Sequence, residues 1–474
     1  MRILYATSGQ RYFRHLYSIV ETLCARGHEV VMAVNECRPV KLWSTRIYKT
    51  YVESVPGLSA IDMPTPEHNR YARMISILRD YAVYLNPNHP SPGLALRAVK
   101  GVPKHLRGCV TNRLSRAFLR PTSTQTFLRW AETFSKPTRD MRQWVMEIAP
   151  DIVICSPAIF PDSQEYGEGD VAAAARAMGI PYIGQVVSWD NLSTKGTYHV
   201  EPDLALVWNE PMVREAIQLH WLKRDRLLAT GAPTLDFWFD LKPDCDRDAF
   251  CRSAGLDPSH PYAIYLCSST TIAADERQVI RQLASTLKAN DTTRHLQLMI
   301  RPHPINAEML DDFQLDNAVV FPRGGDVPDT HEARMAYFHS LHYAEAVIGV
   351  NTSAMVEATI LDKPCVAMIA QEFHSMQMGL GHFHMLLDGG FMEIGEGYEQ
   401  TADCLGRLLH GDDRFAAQRH AFANAFVRPW GLDIPAGEIA AIAIESLGAR
   451  SEDIRGDIQR YVDKRRAAAE ADVA

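Results

Sequence analysis

Short apolar runs alternate with stretches whose apolar residues recur at helical spacing. Residues 2–6 (RILYA) read as a buried strand, and the turn chemistry of Thr7-Ser8-Gly9-Gln10 follows. Phe13, Leu16, Val20 and Leu23 then recur every three or four positions. Gly27 stands where a helix C-cap belongs, and residues 28–34 (HEVVMAV) return as a second strand. A strand–helix–strand opening predicts a parallel sheet, because parallel neighbours need a long crossover. The pattern continues with strands at 151–155, 182–187, 204–208 and 226–230 and a helix at 172–178.

After Gly231-Ala232-Pro233 the chain turns polar, and residues 242–248 (KPDCDRD) read as a linker. A second series begins beyond it. Its strands are predicted at 262–267, 296–300, 318–321, 346–350 and 364–369, with helices at 276–288 and 334–344. Residues 437–447 predict a late amphipathic helix, and 450–474 a charged, Ala-rich helical tail. The expected architecture is α/β, with two Rossmann-like domains at 1–236 and 237–430 and C-terminal helices and tail at 431–474.

A length of 474 residues accommodates two such domains. The net charge of −8 argues against a globally basic nucleic-acid binder. Nine scattered cysteines without a CxxC argue against a disulfide framework or a structural zinc site. No apolar run approaches the ~18 residues of a membrane span, and the N-terminus lacks the apolar region of a signal peptide. The reading is a reduced, cytoplasmic protein. No GxGxxG follows the first strand, and neither a P-loop nor a GxSxG elbow is present, which argues against a dinucleotide dehydrogenase, a P-loop NTPase and an α/β-hydrolase.

One segment breaks the overall acidity. Residues 81–131 hold Arg97, Lys100, Lys104, Arg107, Arg113, Arg116, Arg120 and Arg129 and no Asp or Glu, with apolar residues interleaved. The pattern suits either a solvated helical insertion or peripheral contact with an anionic membrane or polyanionic acceptor.

Five stretches carry candidate chemistry. Asn351, Thr352 and Ser353 follow a predicted strand and open a helix, where backbone N–H groups receive phosphate; Glu357 projects from the same helix face and suits ribose hydroxyls. The alternative for Ser353 is a plain helix cap. Arg301 and His303, in Arg301-Pro302-His303-Pro304, stand at a strand's carboxyl end, where they either hold a diphosphate or form a rigid turn. Residues 188–196 (SWDNLSTKG) place Asp190, Asn191 and Lys195 at another strand end; Asp190 is the candidate general base, with an Asx-type turn as the alternative. Ser268 and Ser269 lie in a hydroxyl-rich loop suited to phosphate oxygens. Residues 372–384 carry His374, His382 and His384, a poor metal set with few carboxylates nearby; Gln377 and His382 are expected to face a ligand. Asp244-Cys245-Asp246 imitates a metal-binding DxD but sits in the predicted linker, so it reads as surface.

Several of these stretches resemble glycosyltransferases of the GT-B fold. Thr230-Gly231-Ala232-Pro233-Thr234-Leu235-Asp236 looks like the "TG-x-P-x-x-D" segment of bacterial surface-polymer transferases and of sugar-nucleotide 2-epimerases. Arg301-Pro302-His303-Pro304 looks like their "[KR]-P-H-P". Ser353, Glu357, Ala358, Lys363 and Pro364 match their "S-x-x-x-E-A-x-x-x-x-K-P" stretch, and SWDNLSTKG resembles a segment of bacterial surface-carbohydrate proteins. The basic segment departs from the likeness.

The resemblance implies two Rossmann-like domains facing a cleft, with a C-terminal helix crossing back to the first domain. It implies sugar transfer from a nucleotide-sugar to a hydroxyl of a surface-glycan or lipid-linked acceptor, inverting and without a metal or other cofactor. The donor would meet Ser268, Ser269, Arg301, His303, Asn351, Thr352, Ser353, Glu357, Gln377 and His382. The acceptor would meet Gly9, Gln10, Asn191 and Lys195, with Asp190, or else Glu21 or His15, taking its proton and His303 assisting departure. Rival readings are a CDP-glycerol-type glycerophosphotransferase, a UDP-sugar 2-epimerase and a non-catalytic nucleotide-sugar binding protein.

Overall fold

A computed structural model describes residues 1–7, 9–35, 45–65, 70–91, 94–99, 102–134, 138–157, 167–270, 272–325 and 327–473. The chain forms two compact units: Met1–Asp236 together with Ala425–Ala474, and Phe237–Asn424.

The first unit is built on β1 (Arg2–Thr7), β2 (Glu29–Val34), β3 (Leu58–Asp62), β4 (Ile152–Ser156), β5 (Tyr182–Gln185), β6 (Leu204–Val207) and β7 (Leu227–Ala229). They pair in parallel in the order β3-β2-β1-β4-β5-β6-β7. The chain leaves β1 in one direction and returns at β4 in the other, so strand order reverses between them. Ligands of open α/β sheets settle at such a reversal, beyond the carboxyl ends of the strands. Thr7 and Ser156 are paired in register there, and both side chains are fully buried. Below them Ile3 and Tyr5 pack with Phe13, Leu16 and Val20 and with Ile439 and Ala443 of the helix Ala436–Gly448.

Asp236 closes this unit. Its carboxylate accepts from the first two backbone N–H groups of that helix, Ala436 at 2.9 Å and Gly437 at 2.8 Å. It also accepts from Arg428 Nε at 2.9 Å and Ser18 Oγ at 2.6 Å. Gly231 has φ +98°, and a Cβ there would lie 2.6 Å from the Val427 carbonyl oxygen. The Thr230–Asp236 segment is thus the clasp that holds residues 425–474 in the first unit.

The basic segment is helical, with helices Leu94–Ala98, Arg107–Thr111, Arg113–Leu119 and Thr122–Glu132. A buried charge cluster anchors it. Arg79 pairs with Glu132, and His199 lies 2.8 Å from Glu132 and 3.1 Å from Asp80.

The second unit contains β8 (Tyr262–Leu266), β9 (Gln297–Arg301), β10 (Ala318–Val320), β11 (Ala346–Gly349), β12 (Cys365–Ile369) and β13 (Glu393–Glu396). All pairs are parallel, in the order β10-β9-β8-β11-β12-β13, and the reversal lies between β8 and β11. Ile348, Ile300 and Tyr265 pack against Ile280, Leu283 and Leu287 of the helix Arg277–Ala289. The expected linker is partly ordered structure: Asp246 caps the helix Arg247–Ala254 by accepting from Ala249 N at 2.7 Å. Among the described residues no helix is long and apolar enough to cross a membrane.

Candidate functional site

The carboxyl edge of the second sheet gathers most of the expected donor residues. β9 ends on Arg301; Ser268 and Ser269 follow β8; Asn351, Thr352 and Ser353 follow β11. Arg301 is buried, and its guanidinium lies over the Tyr337 ring, 4.0 Å from the centroid. Tyr337, from the helix His331–His342, donates its hydroxyl hydrogen to Glu357 on the helix Ala354–Ile360. Trp238 packs edge-on against the same ring at 5.1 Å. A cation and a carboxylate, separated in sequence, are therefore joined through one phenol. Burial, and the Glu357 charge beside it, push the Tyr337 hydroxyl well above its ordinary pKa, so it stays a proton donor to the carboxylate.

The loop after β8 has its own buried acid. Glu276 is fully buried and accepts from Tyr265 Oη at 2.9 Å and from the Ser268 backbone N–H at 2.8 Å. Burial raises its pKa to about 7 against those two donors. Ser268 Oγ and Asn306 Oδ1 are buried and have no hydrogen-bond partner among the described residues. Asn306 Nδ2 reaches the Ser268 carbonyl at 3.5 Å, so the two orphaned oxygens belong to one corner of the strand-order reversal. An unmet buried acceptor or hydroxyl costs about 1–3 kcal/mol, a penalty that folded proteins concentrate at functional corners.

The other residues expected to meet a donor divide. Ser353 is exposed and makes no side-chain cap bond, so its hydroxyl is not consumed by the helix it precedes. His303 is half-buried, and its Nδ1 accepts from Ile305 N–H at 3.2 Å. Asn351 donates to the Met376 carbonyl at 3.0 Å. His382 is buried in the helix Gly381–Asp388. Gln377 requires a correction. It is fully buried, donates to the Val350 and Met368 carbonyls at 2.8 Å each and accepts from Ala370 N at 3.0 Å, so it ties the β11 and β12 loops together rather than facing a ligand. Lys363 and Pro364 precede β12 and lie at the opposite, amino-terminal edge of the sheet.

In the first unit the 188–197 stretch is a hub of hydrogen bonds. Asp190 accepts from Ser188 Oγ at 2.6 Å, Thr194 Oγ1 at 3.0 Å and Asn191 Nδ2 at 3.2 Å. Buried Glu215 is raised to about 8, first by burial and then by the neighbouring Asp190 charge, so it holds its proton near neutrality. Tyr84 donates to the Thr194 and Lys195 carbonyls at 2.8 Å, His89 Nε2 lies 3.0 Å from the Ser193 carbonyl, and His220 Nε2 lies 2.8 Å from that of Leu192. Asn191 is buried, and Lys195 is half-buried. Gly9 adopts extended backbone just past β1, and the side chain of Gln10 lies outside the described residues. His15 is held neutral, its pKa lowered to about 3 by burial and Arg14.

Among the described residues one set of three potential metal ligands converges, Asp244, Cys245 and His339, within 4.8 Å of one another. The Cys245 sulfur lies 3.8 Å from both ring nitrogens of His339. That equal spacing sets the sulfur off the lone-pair line of Nε2, which faces Asp244 at 3.1 Å. His374, His382 and His384 form no such set.

Sequence reasoning passed over Tyr337, Trp238, Glu276, Asn306 and Glu215. Each reads locally as a core aromatic or a helix-surface polar residue, and only the packing reveals its neighbours.

No protein-family model matches the chain, and no curated protein matches it in sequence. Its likeness is structural. Staphylococcus aureus MnaA in complex with UDP aligns at TM-score 0.53 and 10% identity, over 94% of this chain and 96% of its own. A glycosyltransferase from Rickettsia africae aligns at TM-score 0.53 and 10% identity, over 95% and 99%. The UDP-GlcNAc 2-epimerase of Neisseria meningitidis, bound to UDP-GlcNAc, aligns at TM-score 0.51 and 9% identity, over 94% and 99%. The fold is therefore of the GT-B type, with two Rossmann-like units of parallel sheet.

Proposed function

We propose that the chain is a nucleotide-sugar enzyme whose second unit holds the nucleotide, and that it acts as a glycosyltransferase on a hydroxyl of a glycan or lipid-linked acceptor. The observation that carries the reading is the Arg301–Tyr337–Glu357 assembly at the carboxyl edge of the second sheet. A nucleoside diphosphate presents an anion and a ribose diol. A guanidinium and a carboxylate are the complementary groups, one donating to phosphate oxygens and the other accepting from hydroxyls.

In this reading Arg301 and His303 take up the charge that develops on the departing diphosphate. Ser268, Ser269 and Asn351–Ser353 supply hydroxyl and backbone donors to its oxygens. The acceptor oxygen attacks the anomeric carbon from the face opposite the leaving group, the bond to the diphosphate breaks, and the acceptor proton passes to Asp190. Inversion at that carbon follows from a single displacement.

A 2-epimerase is the second reading, favoured by the likeness to the UDP-GlcNAc 2-epimerase of Neisseria meningitidis, which spans nearly the whole chain. Two measurements separate them. A transferase releases nucleoside diphosphate only when acceptor is added, whereas an epimerase converts the sugar with no acceptor present. Asp190→Asn should abolish transfer while calorimetric nucleotide affinity stays within about twofold; a near-normal rate removes Asp190 as base.

A further inference from the structure

The helices Arg113–Leu119 and Thr122–Glu132 touch each other and turn large apolar side chains outward. Leu114 is 81% exposed, Phe118 63%, Phe127 55%, Trp130 56% and Phe134 65%. The inward face of the second helix is already filled by Thr124, Gln125, Leu128 and Glu132, so the aromatics are not a core facing the wrong way. Phe127, Trp130 and Phe134 follow at spacings of three and four, and neighbouring rings lie 5.8 and 4.8 Å apart. A soluble surface rarely shows clustered aromatics without a use for them.

The charge beside these side chains selects the occupant. Arg113, Arg116 and Arg120 run along the first helix at spacings of three and four, next to the Leu114–Phe118 stripe. Among the described residues none of the three, nor Lys104, has a carboxylate partner. Arg129, on the second helix, is instead paired with Glu201. Residues 81–131 contain no acid in a chain of net charge −8. In a two-fold dimer this face would meet its own copy and set arginines against arginines, and an apolar protein groove would leave them unmatched. An anionic bilayer meets both features: rings enter the headgroup boundary while guanidinium groups meet lipid phosphates.

We propose that this face docks on the surface of a membrane containing anionic lipid, holding the first unit peripherally through Leu114, Phe118, Phe127, Trp130 and Phe134 ringed by Arg113, Arg116 and Arg120. The chain's net negative charge makes the docking local and salt-sensitive, since the rest of the surface is repelled.

The test is co-sedimentation of the full chain with vesicles of phosphatidylcholine, alone or mixed with phosphatidylglycerol. The chain is expected to pellet with the mixed vesicles at low salt, to stay in solution with phosphatidylcholine alone, and to be released by high salt. Each cation near such a surface multiplies binding by about fivefold, so Arg113→Gln/Arg116→Gln/Arg120→Gln should lower partitioning about a hundredfold. The same neutralisation at Lys464, Arg465 and Arg466, in the C-terminal helix, should leave it unchanged. Trp130→Ala should lower binding about tenfold with an unaltered melting temperature, because the ring is exposed. Absence of pelleting with mixed vesicles at low salt overturns the proposal. So does equal binding by the arginine or tryptophan variants. A chain that ignores vesicles but dissociates from dimer to monomer on Trp130→Ala in sedimentation equilibrium reassigns the face to a second copy.

Discussion

Arg301 lies over the ring of Tyr337, 4.0 Å from its centroid, and the same phenol donates to Glu357. The three residues come from β9, the helix before β11 and the helix after it, so one side chain sets the positions of a cation and a carboxylate that the backbone alone leaves independent.

That coupling decides how Glu357 should be probed. Glu357→Ala strands the buried Tyr337 hydroxyl and should lower stability by about 1–3 kcal/mol, mixing a folding effect with a binding effect. Glu357→Gln keeps an acceptor for the phenol and removes only the charge. It should weaken binding of a nucleoside diphosphate by about tenfold, in line with the loss of a charge-assisted bond, at a nearly constant melting temperature. Calorimetry and thermal melting on both variants check this; unaltered affinity in Glu357→Gln removes the carboxylate from the nucleotide site.

Asp236 and Arg428 form a buried pair, 2.8 Å apart, at the N-terminus of the helix Ala436–Gly448. Removing one member leaves a buried charge unmatched and strips the helix of its capping acceptor. Asp236→Ala should therefore cost about 3–5 kcal/mol, read as a lower urea midpoint for the first unit. Gly231→Ala should also destabilise, because the added methyl meets the Val427 carbonyl at 2.6 Å on a backbone with φ +98°. A midpoint unchanged in both variants would mean that the C-terminal segment is not held by this clasp.

These two sites show what the chain discloses in one dimension. Central strands were legible because both faces are buried and their apolar runs are unbroken: Ile152–Ser156 and Tyr262–Leu266 are buried throughout. The edge strands β3 and β13 escaped the pattern, since LSAID exposes Ser59, Ala60 and Asp62, and EIGE inverts the usual alternation by burying Glu393 and exposing Ile394. Arg301 and Glu357 stood out through their places after strands. Tyr337 did not, because an aromatic within a helix looks like any core residue until tertiary packing sets it between them. The Thr230–Asp236 stretch was visible as a motif, yet its work here, clasping residues 425–474, depends on partners almost two hundred positions away.

Gly196 offers a narrower test of the 188–197 hub. A Cβ at this position would fall 2.0 Å from Asp80 Oδ1, the atom that accepts from Thr197 N at 2.9 Å. Gly196→Ala should break that bond and loosen the loop that carries Asp190. The expected result is faster amide exchange across 190–197 and about 1–3 kcal/mol less stability. Unchanged exchange would show that Asp80 does not pin the loop.

Glu276 makes the stability of the second unit depend on pH in a direction opposite to that of an ion-paired acid. Burial lifts its pKa from 4.5 to about 7. Below pH 4.5 the carboxyl is protonated in both folded and unfolded chains and contributes no slope. Between pH 4.5 and 7 the unfolded chain releases the proton and the folded one keeps it, so stability falls as pH rises; above pH 7 both are ionised and the slope ends. The accumulated loss is about 3 kcal/mol. Glu215, raised to about 8, adds a similar fall in the first unit, so the contribution of Glu276 is isolated by difference. Glu276→Gln gives up one acceptor, for Tyr265 or the Ser268 N–H, and should be about 1 kcal/mol less stable than the wild type near pH 4.5, but its curve should be flatter between pH 4.5 and 7, so that the difference shrinks and then reverses as pH rises. Urea titrations at pH 5, 6, 7 and 8 read this directly; parallel curves for the two proteins would show that Glu276 ionises in the folded chain as readily as in the unfolded one.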